Sequence, residues 1–221
     1  MSVRGRAGMR TRHERARGDS GPLRNAQRTG RVPVGPRRPE PVFETPPESG
    51  SETPLSRFLI ELTGLGVEHH VEPTPDDVCA RVAALVGTRP VLSWDGDRLP
   101  YGVGRVLAGA ATGRSPRDSQ ASMEIGVTGC HAAIAETGSL VVLSGKGMPR
   151  AASLLPQVHV CVVRSGDVYS TMGEFFTKRA LDIAGAACCT FITGPSRTAD
   201  IELTLTLGVH GPGCVVVVVG P

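Results

Sequence analysis

The run of five valines at residues 215–219 constrains this chain more than any other feature of it. Valine is branched at Cβ, which stiffens χ1 and favours the pleated strand over the helix. A strand with one wet face would alternate apolar and polar residues. An unbroken apolar run instead fits a strand covered on both faces, the situation of a parallel sheet sandwiched by helices. Residues 158–164 carry a second such run, Val-His-Val-Cys-Val-Val-Arg. Each strand of this kind needs a crossover connection, so the sequence between them should read as helices.

Much of it does. Leu55, Phe58, Leu59 and Leu62 fall at helical spacing over residues 54–64, ending at a glycine. Strand-like residues 67–71 lead to Thr74-Pro75-Asp76-Asp77, a cap, a first-turn proline and two acids, which predicts a helix running to Gly87. Residues 90–94 read as a strand; residues 101–118 show little pattern beyond a loop or short helix. From residue 123 strand and helix are expected to alternate. The strands are 124–128, 139–143, 158–164, 189–193 and 214–219, and the helices 129–136, 148–155, 169–181 and 196–207. This alternation predicts an α/β fold, a Rossmann-like open, mainly parallel sheet with helices on both faces.

Charge divides the chain. Residues 1–40 hold eleven Arg against Glu14, Asp19 and Glu40; the remainder is mildly acidic. The basic stretch has no apolar period, so it cannot bury enough surface to offset its ordering entropy. With the Pro-, Glu- and Ser-rich residues that follow, it is expected to be a disordered tail and linker over 1–53, ahead of one domain over 54–221. A transit peptide or an early start codon would read the same way. No aromatic residues interleave the arginines, so nucleic acid is not the expected partner. No apolar run is long enough to span a membrane, and no signal-peptide core is present. The six cysteines include no C-x-x-C pair, and Cys188-Cys189 is poor zinc or cluster spacing. No metal site and no cofactor of its own are expected, and scattered, unpaired cysteines suit a reduced, cytoplasmic protein.

Three clusters could carry chemistry. In Glu136-Thr137-Gly138, the glycine permits positive φ or close backbone approach, Thr137 offers a hydroxyl beside a free amide, and Glu136 could serve as base or hydrogen-bond acceptor. A plain turn after a helix would use the same residues. In the second, Gly194, Ser196, Arg197, Thr198 and Asp200 follow a predicted strand and open a predicted helix, where amides and a guanidinium suit a carboxylate or phosphate. Helix capping by Ser196 or Thr198 is the alternative. The third, His210-Gly211, places a titratable ring in a Gly/Pro-rich turn before the valine strand. His159, opening an apolar strand, reads as a satisfied edge residue, and His131, on the expected short helix near Glu136, is set aside as a site residue. Gly145-Lys146-Gly147 lacks phosphate-loop spacing, and Gly102-x-Gly104 lacks the third glycine of a dinucleotide site.

Ala-Glu-Thr-Gly before a Val-Val-Leu strand, Leu154-Leu155-Pro156-Gln157-Val158-His159, Gly-Pro-Ser-Arg-Thr-Ala-Asp-Ile-Glu and Gly-Val-His-Gly-Pro occur in that order. In this series the chain resembles the lactate-utilization (LUD) domain family, specifically its lactate utilization C members, over about residues 55–221. The resemblance implies a fold shared with ribose-phosphate isomerases, glucosamine-phosphate deaminases and CoA transferases. It implies a part in a three-protein system oxidising L-lactate to pyruvate, whose partner subunits bear the iron–sulfur clusters. This chain would be the cluster-free subunit. Thr137, Gly138, Gly194, Ser196, Arg197, Thr198, Asp200 and Gly211 would bind a small anionic metabolite, with Glu136 and His210 in catalytic positions. The wider fold also leaves open a stand-alone transferase, ligase or isomerase acting on such a metabolite.

Overall fold

In the computed structural model the described residues are 53–199, 205–207 and 210–221, all within the unit Thr45–Pro221. Apart from Thr53, the expected tail and linker lie outside them. In chain order the strands are β1 (Glu68–Val71), β2 (Val91–Ser93), β3 (Ile125–Gly129), β4 (Ala132–Ile134), β5 (Ser139–Ser144) and β6 (Val158–Arg164). They continue with β7 (Val168–Tyr169), β8 (Cys188–Ile192), β9 (Arg197–Ala199), β10 (Leu205–Leu207) and β11 (Cys214–Gly220). The α-helices are α1 (Pro54–Gly64), α2 (Pro75–Val86), α3 (Arg117–Ala121), α4 (Met172–Lys178) and α5 (Ala180–Gly185).

The valine strand β11 sits inside a five-stranded parallel sheet of order β1-β11-β6-β3-β2. Its side chains divide by pleat, as a period of two requires. Val216 and Val218, with Val160 and Val162 of β6, pack against Val78, Val82 and Val86 of α2. Val215, Val217 and Val219, with Cys161 and Val163, meet Phe58 and Leu62 of α1 and Ala133 and Leu140 of a second sheet. All five valines are at most 4% exposed. Burying each contributes about 1.5–3 kcal/mol, so this strand alone is a large part of the folding drive.

Local chemistry sets the helices as expected. Thr74 Oγ1 accepts the Asp77 amide at 3.2 Å, Pro75 fills the first turn, and Gly87 ends α2 at φ +57°. Thr53 caps α1 in the same way, accepting from the Ser56 amide at 3.1 Å.

The second sheet is where the fold departs from expectation. It has four strands in the order β7-β4-β5-β8, with β4 and β8 antiparallel to β5. The helix expected at 129–136 is instead strand β4, which turns through residues 135–138 into β5. Gly138 holds φ +65° in that turn. Alanine is a strong helix former, but such propensities amount to under about 1 kcal/mol per residue, and pairing on both sides of β4 outweighs them. The helix expected at 196–207 is replaced by β9 paired antiparallel with β10. That at 148–155 shrinks to a 3₁₀ turn, Arg150–Ser153, and that at 169–181 divides into β7, α4 and α5. On its far side the second sheet buries Phe175 of α4 among Ala132, Ile134, Val141 and Leu143.

Candidate functional site

A cleft of about 250 Å³ opens where the second sheet meets the amino ends of β6 and β11. Ser153 and Leu154 come from the turn before β6, Thr190 to Gly194 from β8 and its exit, and His210 to Pro212 from the turn before β11. The Ser196 amide donates to the Pro212 carbonyl at 2.9 Å, fastening the last two segments together. Gly194, at φ +80°, makes the exit from β8. A Cβ on Gly211 would lie 3.5 Å from that of Ser196, an ordinary contact. The walls are hydroxyls, one imidazole and apolar side chains; among the described lining residues there is no carboxylate, ammonium or guanidinium. Such a site can hold a small polar ligand through hydroxyl and amide donors, with His210 exposed at its rim.

Four of the expected site residues therefore converge: Gly194, Ser196, His210 and Gly211. Gly194 and Ser196 follow the carboxyl end of β8, as expected, but lead into strand β9 and not into a helix, while His210 and Gly211 stand in the turn before β11. With β9 in place of a helix, no helical amides are offered there. Arg197 is turned elsewhere: its guanidinium donates to the Leu65 carbonyl at 2.7 Å, beyond the end of α1. Thr198 lies in β9, and Asp200 is outside the described residues.

The Glu136 cluster sits on the β4–β5 turn. Glu136 Oε1 accepts the Met172 amide at 2.7 Å, satisfying the first N–H of α4 and placing negative charge at its positive end. Gly138 faces α1, where a Cβ would fall 2.9 Å from Leu65 Cδ1 and 3.1 Å from Glu61 Cβ. Thr137 reaches the cleft indirectly. Its hydroxyl is 2.8 Å from that of Ser139, which is 2.7 Å from that of Thr193 on the cleft wall. Thr193 and Ser153 were missed from sequence. Thr193 adjoins Gly194 and could have been included; Ser153 carries no local signal.

His159 is fully buried. Its Nε2 lies 2.8 Å from Thr128 Oγ1, and its Nδ1 has no partner among the described residues, so the ring is a half-satisfied core residue and not the satisfied edge residue expected. Burial pushes its pKa down to about 4, so the ring is neutral near pH 7. Among the described residues no three His, Cys, Asp or Glu side chains are grouped to hold a metal ion. No described helix is long and apolar enough to cross a membrane.

A parallel sheet backed by a largely antiparallel one, with glycine-rich turns joining them around a small cleft, defines the class. The LUD-domain profile matches residues 97–219, and the chain belongs to that family. Its similar relatives carry a more particular name. Lactate utilization protein C of Geobacillus sp. (strain WCH70) is 32% identical over 149 residues, covering 59% of this chain and 62% of that protein. The protein of that name from Bacillus licheniformis is 31% identical over 180 residues, covering 69% and 75%. The one from Halalkalibacterium halodurans is 28% identical over 213 residues, covering 86% and 91%. The chain thus spans less than two thirds of the Geobacillus sp. relative and most of the other two. The crystal structure of a DUF162 family protein from Deinococcus radiodurans shares the fold, with a TM-score of 0.63 at 24% identity over 76% of this chain and 96% of that one.

Proposed function

We propose that this protein acts in lactate utilization as a cytoplasmic, cluster-free subunit of an iron–sulfur L-lactate-oxidising system. On this reading it holds a small carboxylate or phosphorylated metabolite at the amino-end cleft, and the partner subunits carry the redox centres. The observation that supports it most is a coincidence of two things. The relatives named lactate utilization protein C cover most of this chain, and the stretches that resemble that family's motifs supply Gly194, Ser196, His210, Gly211 and Pro212 to the cleft wall. Ser196, Thr193 and the Gly194 and Gly211 backbone would fix the ligand's oxygens. His210 at the rim would donate to a carboxylate or take a proton from a hydroxyl. Thr137 would act at one remove through Ser139, and Glu136 by holding α4 against the turn.

Affinity purification from lactate-grown cells tests this reading. Iron–sulfur proteins should co-purify with lactate-dependent dye reduction. Ser196→Ala and His210→Ala should each lower that activity about tenfold to a hundredfold, the loss of one charge-assisted hydrogen bond. A protein that purifies alone, from cells whose growth on lactate does not need its gene, would defeat the proposal and leave an independent enzyme as the reading to pursue.

A further inference from the structure

The opposite edge of the central sheet holds a different cleft, of about 340 Å³, at the carboxyl ends of β2, β3 and β6. Ligands of open parallel sheets collect at that edge. Its wall combines Trp94, Arg98, His131, Arg164, Asp167 and Arg179. Trp94 is 2% exposed, and its Nε1–H has no acceptor among the described residues. A buried N–H left without a partner is uncommon and asks for one. His131, next to the indole at a centroid distance of 5.4 Å, accepts the Leu143 amide on Nδ1 at 3.1 Å. Its neutral ring therefore carries the proton on Nε2, a second donor. Burial, and then the Arg179 guanidinium, hold the His131 pKa below the ordinary range, which keeps the ring in that neutral form.

The guanidiniums are arranged but not used up. Arg179 donates to the His131 carbonyl at 3.0 Å and pairs with Asp182, so it frames the site. Arg164 lies 4.0 Å from Asp167, and Arg98 lies 3.9 Å from Asp97, both at the outer limit of ion pairing. The Arg164 guanidinium is 5.8 Å from the centroid of the Tyr101 ring, a cation–π contact that orients it. Tyr101 is the one non-glycine among the described residues with positive φ, at 57°, and its hydroxyl donates to the Pro221 carbonyl at 2.5 Å. The platform under Arg164 is thus held in a backbone conformation that ordinarily costs about 1–3 kcal/mol.

We propose that this carboxyl-end cleft is a second ligand site, one that takes a small molecule through an oxyanion, a carboxylate or a phosphate group. Arg164 and Arg98 bind the oxyanion, and the Trp94 indole and the His131 ring supply neutral donors. Asp167 faces a hydroxyl or ammonium on the same ligand. The volume falls at the low end of ligand clefts, about 300–1,000 Å³, and suits a small molecule. The proposal is independent of the amino-end cleft and of any part in lactate metabolism.

Trp94 is the sole tryptophan of the chain, so its emission reports from the wall of the site. The full-length protein is titrated separately with sodium L-lactate, inorganic phosphate and sodium chloride. A saturable emission change with lactate or phosphate, half-complete below about 10 mM and absent with chloride, is the expected result. Response to lactate alone assigns a carboxylate, to phosphate alone a phosphorylated ligand, and to both the shared oxyanion. Arg164→Gln should weaken half-saturation at least about tenfold with an unchanged circular dichroism spectrum, and Ser196→Ala should leave it alone. Should Arg164→Gln fail to fold, Arg98→Gln carries the same expectation. No saturable change, an equal response to chloride, or a response sensitive to Ser196→Ala but not to the arginine variants overturns the proposal.

Discussion

The two sheets of this molecule are built to different tolerances. In the central sheet, β6 and β11 are sealed on both faces, and the neighbouring β3 is buried at all five positions. In the second sheet, β4 and β5 are buried but β8 is only half-buried along its length, and it leads straight into the amino-end cleft. Those three strands form a packed interior, and only the edge strand β1 of that sheet is open to solvent. The second sheet is a layer with one firm side and one accommodating side. Rigid support on one side and a yielding wall on the other is the arrangement expected where a ligand must enter.

Glycine substitutions test that contrast most directly. A Cβ at Gly126 in β3 would lie 1.8 Å from the carbonyl oxygen of Ala152 and 2.9 Å from its carbonyl carbon. Both are backbone atoms of the turn before β6, and neither can move without dismantling it. Gly126→Ala should cost more than about 4 kcal/mol and abolish cooperative urea unfolding. A loss under about 1 kcal/mol would show the central sheet to be far more pliable than its packing implies.

Acid should act next most strongly, again through the central sheet. Burial lowers the His159 pKa from 6.5 to about 4, so the folded state binds this proton less readily than the unfolded chain. The corresponding stability is complete above pH 6.5 and is lost as the pH falls through 4, about 3 kcal/mol in all. Urea midpoints across that window should drop in the parent protein. They should drop much less in His159→Gln, whose amide can still reach the Thr128 hydroxyl. Identical pH profiles would assign the acid sensitivity to other groups.

Gly138→Ala probes the second sheet and should be milder, about 2 kcal/mol. Its positive φ is unfavourable for alanine, but the nearest obstacle, Leu65 Cδ1 at 2.9 Å, is the tip of a flexible side chain. Thermal unfolding should remain cooperative, with a lower midpoint. A cost matching that of Gly126→Ala would erase the distinction between the sheets.

What the sequence made legible follows the same division. The valine runs of β6 and β11 and the Thr74-Pro75 cap of α2 act through neighbours close in the chain, and a reader of sequence sees them. So does the parallel central sheet, which follows from strands buried on both faces. The second sheet depends on partners that pattern cannot reveal. Ala132 to Ile134 becomes a strand because Val141 and Val168 lie beside it. Ser196 resembles a helix cap after a Gly-Pro turn, yet the chain enters strand β9 there. The cleft residues Gly194, Ser196, His210 and Gly211 were visible as motifs, but the strand β9 that follows Ser196 in place of a helix was not. The carboxyl-end cleft left still less trace, since Trp94, His131, Arg164 and Arg179 come from four separate segments.

The topology also bears on how the chain is made. Among the described residues, β1 pairs only with β11, joining Glu68 to Val216 and Val71 to Val219. During synthesis from the amino end, β1 and the apolar side of α1 emerge long before the strand that will cover them. Closing so wide a loop is slow, and the waiting segments are open to off-pathway association. Folding of this domain should therefore wait at a half-built sheet until the valines have left the ribosome.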